Sequence, residues 1–468
     1  MTVIRRVWPN DWQLWRSLRL AALADSPDAF DSRLADWQGD GDNEQRWRNR
    51  LRSVEANFVA VTASETVGMI SGVHGADARE IELISLWVAP SARGLGLGTD
   101  LIRAVMDWAA TDPSAERVVL RVHKRNVRAQ ELYRRNGFRL VGSVSASNLE
   151  MSHPLRKRIR IGLHSGQQYT DFESMRSLWR DAEQLGYDWI SVFDHYRPPI
   201  FGPDGPCMDG PSILAALAAV TPRVQCALLV ASPVWRHPAV AATIAATIDQ
   251  VSGGRLEFGV GVGGSDLAHE QFGIAQPTLR ARYQQLDETC RILRLLWDGG
   301  PVEFSGQHYL LRDAFLNPRP VQRNVPLIIG GAGEKQTLPL VAAHADTWNS
   351  LPLSPPVYAH KTHVLEKLCS EIGRDKQVRQ SLTFRAVIRP SAQHASQERD
   401  KLGSSARRAD LPEYVSFGTA AECLDTLAPY VELGVRDFLL GARPPVDLET
   451  VERFALEVAP VLRALAAS

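Results

Sequence analysis

Nowhere in the 468 residues is there an unbroken apolar run of the ~18 that a membrane-crossing helix needs. The opening stretch, MTVIRRVWPNDWQLW, is interrupted by Arg5, Arg6, Pro9, Asn10 and Asp11 before the apolar core of an export signal can form. The expectation is a cytoplasmic chain with no membrane partner. Charge of one sign is also missing: 53 Lys and Arg balance 53 Asp and Glu. No net field is left to attract nucleic acid or anionic lipid, and small molecules are the expected partners. Cysteine is sparse and scattered, at Cys207, Cys226, Cys290, Cys369 and Cys423. No CxxC pair and no Cys/His cluster occurs, which argues against a zinc site and for free thiols in a reducing compartment. Solenoid repeats and low-complexity tracts are lacking too.

What is present is the composition of a globular protein, 44% hydrophobic and 23% charged. The chain is too long for one ordinary core, and two domains fit because an α/β barrel alone takes ~250 residues. The seam falls at His153-Pro154-Leu155-Arg156-Lys157-Arg158. Strands and helices alternate irregularly before it, and a strand–helix rhythm follows it. So short a basic run reads as a solvated linker rather than an interaction patch. The division is therefore a first domain over 1–153, a linker over 154–158 and a second domain over 159–468.

In the first domain, residues 57–63 and 65–74 read as two strands joined by a tight turn. The run 79–90 alternates, with Ile81, Leu83, Ser85 and Trp87 on one face, and leads into Arg93-Gly94-Leu95-Gly96-Leu97-Gly98-Thr99. A helix follows with Leu97, Leu101, Val105 and Trp108 on one stripe. A strand, a glycine turn and a helix N-terminus make an anion site, because unpaired N–H groups and the helix dipole face the ligand. Taken alone, the same turn reads equally well as a tight connection with no ligand. Further on, 117–138 reads as a strand and a helix capped by Asn126 and ended by Gly137 in a left-handed conformation.

Together these residues resemble the GNAT acetyltransferase superfamily: Arg93, Gly96 and Gly98 match its Arg-x-x-Gly-x-Gly core, and Asn126, Ala129 and Tyr133 match its later helix. The opening 11–32 is similar to the family's first helices. The resemblance implies an α+β domain that uses acetyl-CoA. It implies that the turn with Arg93, Gly94, Gly96, Gly98 and Thr99 holds the coenzyme A pyrophosphate, and that the backbone of Val88, where the strand splays, receives the acetyl carbonyl. It implies that Asn126 meets the pantetheine arm or a bound water, and that Tyr133 protonates the leaving thiolate. Glu82 is the candidate base for the amine, with an exposed strand carboxylate as its other reading. Tyr133 likewise has a plain reading as a packed helix residue.

In the second domain, strands read at 159–164, 187–193, 224–232, 255–263, 325–331, 345–350 and 435–441, with helices between and after them. Thr170-Asp171-Phe172-Glu173 reads as a capping box for a helix that turns Phe172, Met175, Leu178, Ala182 and Leu185 inward and stops at Gly186. Repeated βα units point to a parallel sheet, closed as a TIM barrel or open and doubly wound. The strand ends carry the chemistry-bearing residues: Asp194-His195-Tyr196, Ser232-Pro233 with Trp235-Arg236-His237-Pro238, the glycines 259, 261, 263 and 264, and Gly330-Gly331-Ala332-Gly333 before a helix. The last is a phosphate cradle, and the fourth-strand glycines leave room for a flat ring against the backbone.

The runs 236–263, 296–311, 317–337 and 343–349 are similar in order and spacing to the luciferase-like monooxygenase superfamily, and within it to coenzyme F420-dependent oxidoreductases. The resemblance implies a (β/α)8 barrel, a cofactor phosphate on Gly330, Gly331 and Gly333, and a ring site lined by Ser232, Gly261 and Gly263. It implies a non-prolyl cis peptide near 229–232, and a homodimer is common in that family. Asp194 is implied to contact the cofactor. His195 is implied to sit beside the hydride-bearing carbon as proton acceptor or hydrogen bonder, work suited to a group that titrates near neutrality; its plain reading is a strand-end residue that orders the 197–211 loop. Sugar-phosphate dehydrogenases of the family place an acid just after the fourth-strand glycines, where this sequence has Gly264; Asp266 and Glu270 are the nearby acids. The combined expectation is a bifunctional enzyme, an F420-dependent hydride-transfer barrel fused to an N-acetyltransferase. The alternative is an FMN-dependent monooxygenase barrel with the first domain as a regulatory acetyl-CoA-binding module.

Overall fold

The computed structural model describes residues 2–30, 32–62, 65–75, 80–110, 112, 115–155, 159–199, 202, 204–264, 267–322, 324–374, 377–405 and 415–465. The chain divides into two compact units, Met1–Arg158 and Ile159–Ser468. The last strand of the first unit runs on to Pro154, so 154–155 are not loose chain, and 156–158 lie outside the described residues.

The first unit is one twisted sheet of β1 (Val3–Arg6), β2 (Ala56–Val61), β3 (Thr66–His74), β4 (Glu80–Val88), β5 (Arg117–His123), β6 (Arg139–Ser143) and β7 (Asn148–Pro154), in the order β1-β2-β3-β4-β5-β7-β6. Helices α1 (Trp12–Asp25) and α2 (Glu44–Ser53) cover one face, burying Trp15, Leu18, Leu23, Trp47 and Leu51 against Val59, Met69 and Trp87. Helix α3 (Leu97–Ala109) covers the other with Leu97, Leu101 and Val105, joined by Tyr133 of α4 (Val127–Arg135). Period-two alternation sends Val59 and Ala60 to these opposite faces.

Two irregularities shape the cleft. Only one pair in this sheet, β4 and β5, is parallel, and it is bonded over Glu80–Glu82 alone, after which the strands part. The β3–β4 register slips between Met69 and Ser71, where Ser85 of β4 adopts φ 60°. Ile81 and Leu83 therefore share the α3 face as expected, whereas Trp87, expected beside them, packs against the α1–α2 side. An extra residue in one strand reverses every side chain beyond it.

The second unit is a closed ring of eight parallel strands. In order they are β8 (Arg160–Ser165), β9 (Trp189–Val192), β10 (Gln225–Ala231), β11 (Leu256–Val260), β14 (Leu327–Gly330), β15 (Thr347–Ser350), β16 (Arg379–Ile388) and β18 (Val435–Ala442), and β18 bonds back to β8. A hairpin, β12 (Val302–Ser305) and β13 (Leu310–Ala314), lies outside the ring, and β17 (Val415–Gly418) adds to β16. Closure removes the open doubly wound alternative. The strand missing from the sequence reading is β16, RQSLTFRAVI: Arg379, Ser381 and Thr383 are buried, while Leu382 and Phe384 join the apolar cluster around the barrel. A strand with polar side chains inside looks like an exposed one when only its pattern is read.

Helix starts need one correction. Asp171, not Thr170, caps helix α5 (Phe172–Gln184), accepting from the Ser174 amide at 2.8 Å, and Phe172 is 37% exposed rather than inward. Helices α6 (Gly210–Val220) and α7 (Pro238–Ser252) follow β9 and β10, capped by Asp209 and His237.

The floor of the barrel is ionic. Arg160 of β8 donates to Asp437 of β18 at 2.9 and 2.7 Å and is paired with Glu257 of β11, while Arg379 of β16 donates to Asp437 at 2.7 Å. All four side chains are buried. Above them Trp189, Ala227, Leu229, Ile328 and Leu439 fill the lumen. Burial would raise the Asp437 carboxyl, but the two guanidiniums prevail and hold it at about 2. Breaking such a buried pair leaves charge uncompensated and costs about 3–5 kcal/mol. Asp437→Asn is therefore expected to lower the unfolding free energy of the barrel, read from urea denaturation, by that order, and an unchanged value would show that the cluster is not structural. The wild-type contribution is present above the ordinary carboxylate range and is lost as pH falls from about 4 to about 2.

Candidate functional site

The cleft of the first unit opens where β4 and β5 part, and encloses about 990 Å³. Its lining includes Glu82, Ser85 and Val88 of β4, the Arg93–Thr99 turn, and Asn126 and Tyr133 of α4. Ala89 donates to the Val67 carbonyl at 2.8 Å. Antiparallel alternation therefore turns the Val88 N–H and C=O away from β3 and into the splay. Gly94 and Gly96 have φ 89° and 83° with open space where a Cβ would sit, so conformation alone selects glycine there. Gly98 differs: a Cβ would meet Leu132 at 2.9 Å, so it lets α3 approach α4. The amides of Gly94, Leu95, Gly96, Leu97 and Gly98 make no hydrogen bond to any described residue. That row of free donors at a helix start is an anion cradle.

Several side chains are placed otherwise than expected. Arg93 turns back from the cradle: its Nε donates to the Val88 carbonyl at 2.9 Å and its guanidinium pairs with Asp25. Trp87 Nε1 donates to the same carboxylate at 2.9 Å, and that bond leads the forces holding Asp25 below its ordinary range. Arg93 thus braces the end of β4. Thr99 Oγ1 accepts from Asn136 at 3.3 Å, and Asn126 Oδ1 accepts from the Ala129 amide at 3.1 Å as the cap of α4. Tyr133 is buried against Phe138, with centroids 5.8 Å apart; burial raises its phenol, and its hydroxyl has no partner among the described residues. Glu82 lies 3.8 Å from Arg121 across the strands.

In the second unit the C-terminal ends of the strands form the mouth. Asp194, just beyond β9, is buried and receives both ends of the Arg236 guanidinium, at 2.5 and 3.0 Å. Burial pushes its carboxyl up and Arg236 opposes this. Arg236 also donates to the Tyr196 hydroxyl at 3.1 Å and to Asp209 at 3.2 Å. Both Asp194 oxygens are thus engaged by Arg236. His195 sits edge-on to Phe193, with centroids 5.5 Å apart.

The fourth-strand glycines have a steric cause that sequence reading did not supply. The Leu229–Val230 peptide is cis, and Val230 projects into the lumen. A Cβ on Gly259 would meet the Leu228 carbonyl oxygen and, at 2.9 Å, Val230; one on Gly261 would meet Val230 at 2.6 Å and one on Gly330 at 3.3 Å. Val230 thus packs against Gly259, Gly261 and Gly330. Ser232 is different: its hydroxyl is buried beside Gly263 and has no hydrogen-bond partner among the described residues. Gly331 has φ 113° and donates to the Asn349 carbonyl at 3.0 Å, while the amides of Ala332 and Gly333 have no acceptor among the described residues. The helix after them begins at Thr337.

Three residues escaped the sequence reading. His164, at the end of β8, bonds Ser191 Oγ through Nδ1 at 2.8 Å, and burial, seconded by Arg443 and His195, pulls its imidazole down to about 4. Arg236 was legible only as part of a run and carried no role. His269 is buried and stacked on Trp235 at 4.2 Å, whereas Glu270, offered as a replacement acid, is exposed. Asp266 lies outside the described residues. Among the described residues no group of His, Cys, Asp and Glu could hold a metal ion, and no helix is long and apolar enough to cross a membrane.

A closed parallel barrel with its polar side chains gathered at the C-terminal mouth defines a TIM-barrel enzyme scaffold. The profile of the luciferase-like monooxygenase family matches residues 151–456, and the chain belongs to that family. The profile of the acetyltransferase (GNAT) family matches residues 17–138, so the first unit is a GNAT domain. Among curated proteins, the F420-dependent glucose-6-phosphate dehydrogenase of Microbacterium testaceum is 35% identical over 157 residues, 33% of this chain and 46% of that protein. The pyrimidine monooxygenase RutA of Cronobacter turicensis is 32% identical over 193 residues, 40% of this chain and 50% of that protein. The chain thus spans about half the length of these curated relatives. Among solved structures, an F420-dependent secondary alcohol dehydrogenase in complex with an F420–acetone adduct aligns with TM-score 0.57 and 22% identity over 65% of this chain and 99% of its own. A riboflavin lyase aligns with TM-score 0.58 and 18% identity over 66% and 92%. These likenesses are to the fold.

The depressed imidazole gives a direct check. His164 is expected to stay neutral from pH 8 to 5, so its ring proton shifts should not move in that window. Because the unfolded chain takes up the proton near 6.5 and the folded one only near 4, His164 stabilises the fold above that range, and the contribution is lost as pH falls through it. A ring titrating near 6.5 would show that the mouth is wetter than the geometry implies.

Proposed function

We propose that the barrel binds coenzyme F420 and carries out hydride transfer on a small organic substrate, and that the GNAT domain transfers the acetyl group of acetyl-CoA to an amine. The observation that carries the barrel reading is the pair of imidazoles at its mouth, His195 and the neutral His164, beside the orphaned hydroxyl of Ser232. A buried hydroxyl without a partner asks for a ligand atom. The amides of Ala332 and Gly333 suit a phosphate, so these residues fit the cofactor. When bound, a reduced deazaflavin supplies a hydride. Ser232 and the 330–333 loop would hold it, Asp194 and Arg236 would fix the segment that carries His195, and His195 would take or give the proton at the substrate oxygen. His164 stays uncharged and adds no competing cation.

The FMN-dependent monooxygenase reading draws on the likeness to the pyrimidine monooxygenases. Separate fluorescence titrations with F420 and FMN decide between the two. Tight F420 binding with weak FMN binding is expected; the reverse would overturn the hydride-transfer reading.

In the GNAT domain, the free amides of the 94–98 turn would bind the pyrophosphate, and the outward Val88 amide would hold the acetyl carbonyl. Glu82, six residues back along β4 from Val88, would accept the amine proton through intervening water, and Tyr133, kept protonated by burial, would return a proton to sulfur. Loss of a general acid typically costs about 10²- to 10⁴-fold in rate. Tyr133→Phe is expected to slow CoA release by that order. Equal release by variant and wild type across many amines would favour a regulatory acetyl-CoA-binding module. We take the assembly to be a homodimer in the cytoplasm, and sedimentation would test the dimer.

A further inference from the structure

The GNAT cleft contains a feature that thioester chemistry does not call for. Arg19 of α1, 6% exposed, and Arg50 of α2 reach the same atom: each donates to Ser85 Oγ at 3.4 Å. The remaining contacts of Arg50 are neutral, the Asn57 Oδ1 at 3.5 Å and the face of Trp15 at 5.8 Å. No carboxylate among the described residues pairs with Arg50. Arg19 lies over the ring of Phe30 at 4.5 Å. All of Arg19, Arg50, Ser85 and Phe30 line the cleft. Burial, and then the charge of Arg19, pull Arg50 down to about 10, a measure of how poorly this cation is solvated and balanced.

The backbone is shaped to hold this arrangement. Ser85 is the residue of the β4 bulge, at φ 60°, a conformation few non-glycine residues adopt, and there its hydroxyl meets both guanidiniums. Along β4 the order is Ser85, then Val88 with its outward amide, then the anion cradle at 94–98. At ~3.3 Å per residue the arginine site stands about 10 Å short of Val88, on the side away from the pyrophosphate cradle. It therefore belongs to the acceptor and not to coenzyme A.

We propose that the acceptor amine carries a carboxylate, bound by Arg50 with Arg19 and Ser85, so that the GNAT domain acetylates free amino acids in preference to neutral or cationic amines. The proposal rests on the acetyl-transfer reading above and names its substrate class. The amine nitrogen forms the C–N bond at the thioester carbonyl, the C–S bond breaks, the thiolate takes a proton, and the nitrogen loses one; no electrons are exchanged. A planar carboxylate matches the fork of a guanidinium, and it would give Arg50 the opposite charge that its described contacts, Ser85, Asn57 and Trp15, do not supply.

The test uses the full-length chain with acetyl-CoA and matched acceptors, L-phenylalanine against L-phenylalaninamide and L-methionine against its methyl ester. CoA release and ligand-observed NMR binding are both measured. The acids are expected to be favoured about 10- to 100-fold in kcat/KM, the worth of charge-assisted hydrogen bonds. Arg50→Gln is expected to collapse that ratio through KM, and Arg50→Lys to restore part of it; a thermal melt of each variant separates lost binding from lost folding. Amides and esters used as well as acids, or an Arg50→Gln effect equal on all acceptors, would overturn the proposal. If the acids bind and the amides do not while no acceptor is acetylated, the anion site stands and the acetyl-transfer reading falls. Binding of neither overturns the site itself.

Discussion

The buried ionic floor of the barrel is the constraint on which the second unit depends. Arg160, Glu257, Arg379 and Asp437 come from four different strands, and none can be satisfied by water. Their charges balance only when those strands stand in one register, so the cluster selects a single closure of the ring. An apolar floor would tolerate a slipped strand more readily. With the floor set, Trp189 lies over Gly162, where a Cβ would meet the indole at under 3 Å, and the lumen above is stepped from charge to apolar packing to the polar mouth. The distance from the floor fixes which residues reach that mouth: His164 is two alternations along β8 from Arg160.

Much of this was legible in the chain before any coordinates. Strand ends, the Asn126 cap, the left-handed Gly137 and Gly186, and the glycine turn at 94–98 all follow from local rules, because a backbone conformation or a cap is decided by a few neighbouring residues. What failed was what tertiary partners decide. β16 hid because its inward side chains are Arg379, Ser381 and Thr383, polar residues whose partners lie on distant strands. Gly259 and Gly261 were legible as special, but the close approach of Val230 to both, and of the Leu228 carbonyl to Gly259, was not. Trp87 changed faces because a bulge leaves no mark in an alternating pattern.

The same distinction runs through the sites. Residue types that do chemistry were found where the strands end, but their partners were not. Arg93, expected at the pyrophosphate, is paired with Asp25 at the end of α1. Asp194, expected at the cofactor, has both of its oxygens bonded by Arg236. In each case the partner is an opposite charge that sequence spacing does not reveal. His164 shows the reverse: an unremarked strand residue gains significance because burial keeps it uncharged.

The parting of β4 from β5 has a consequence for how the GNAT domain can diversify. The donors that would face the acetyl group and the pyrophosphate are main-chain amides, which mutation of the residues carrying them leaves in place. The residues proposed to meet the acceptor are side chains on α1, α2 and the bulge, each replaceable without touching those amides. Donor chemistry and acceptor choice are thus written in different parts of the polymer, and one can drift under selection while the other stays fixed.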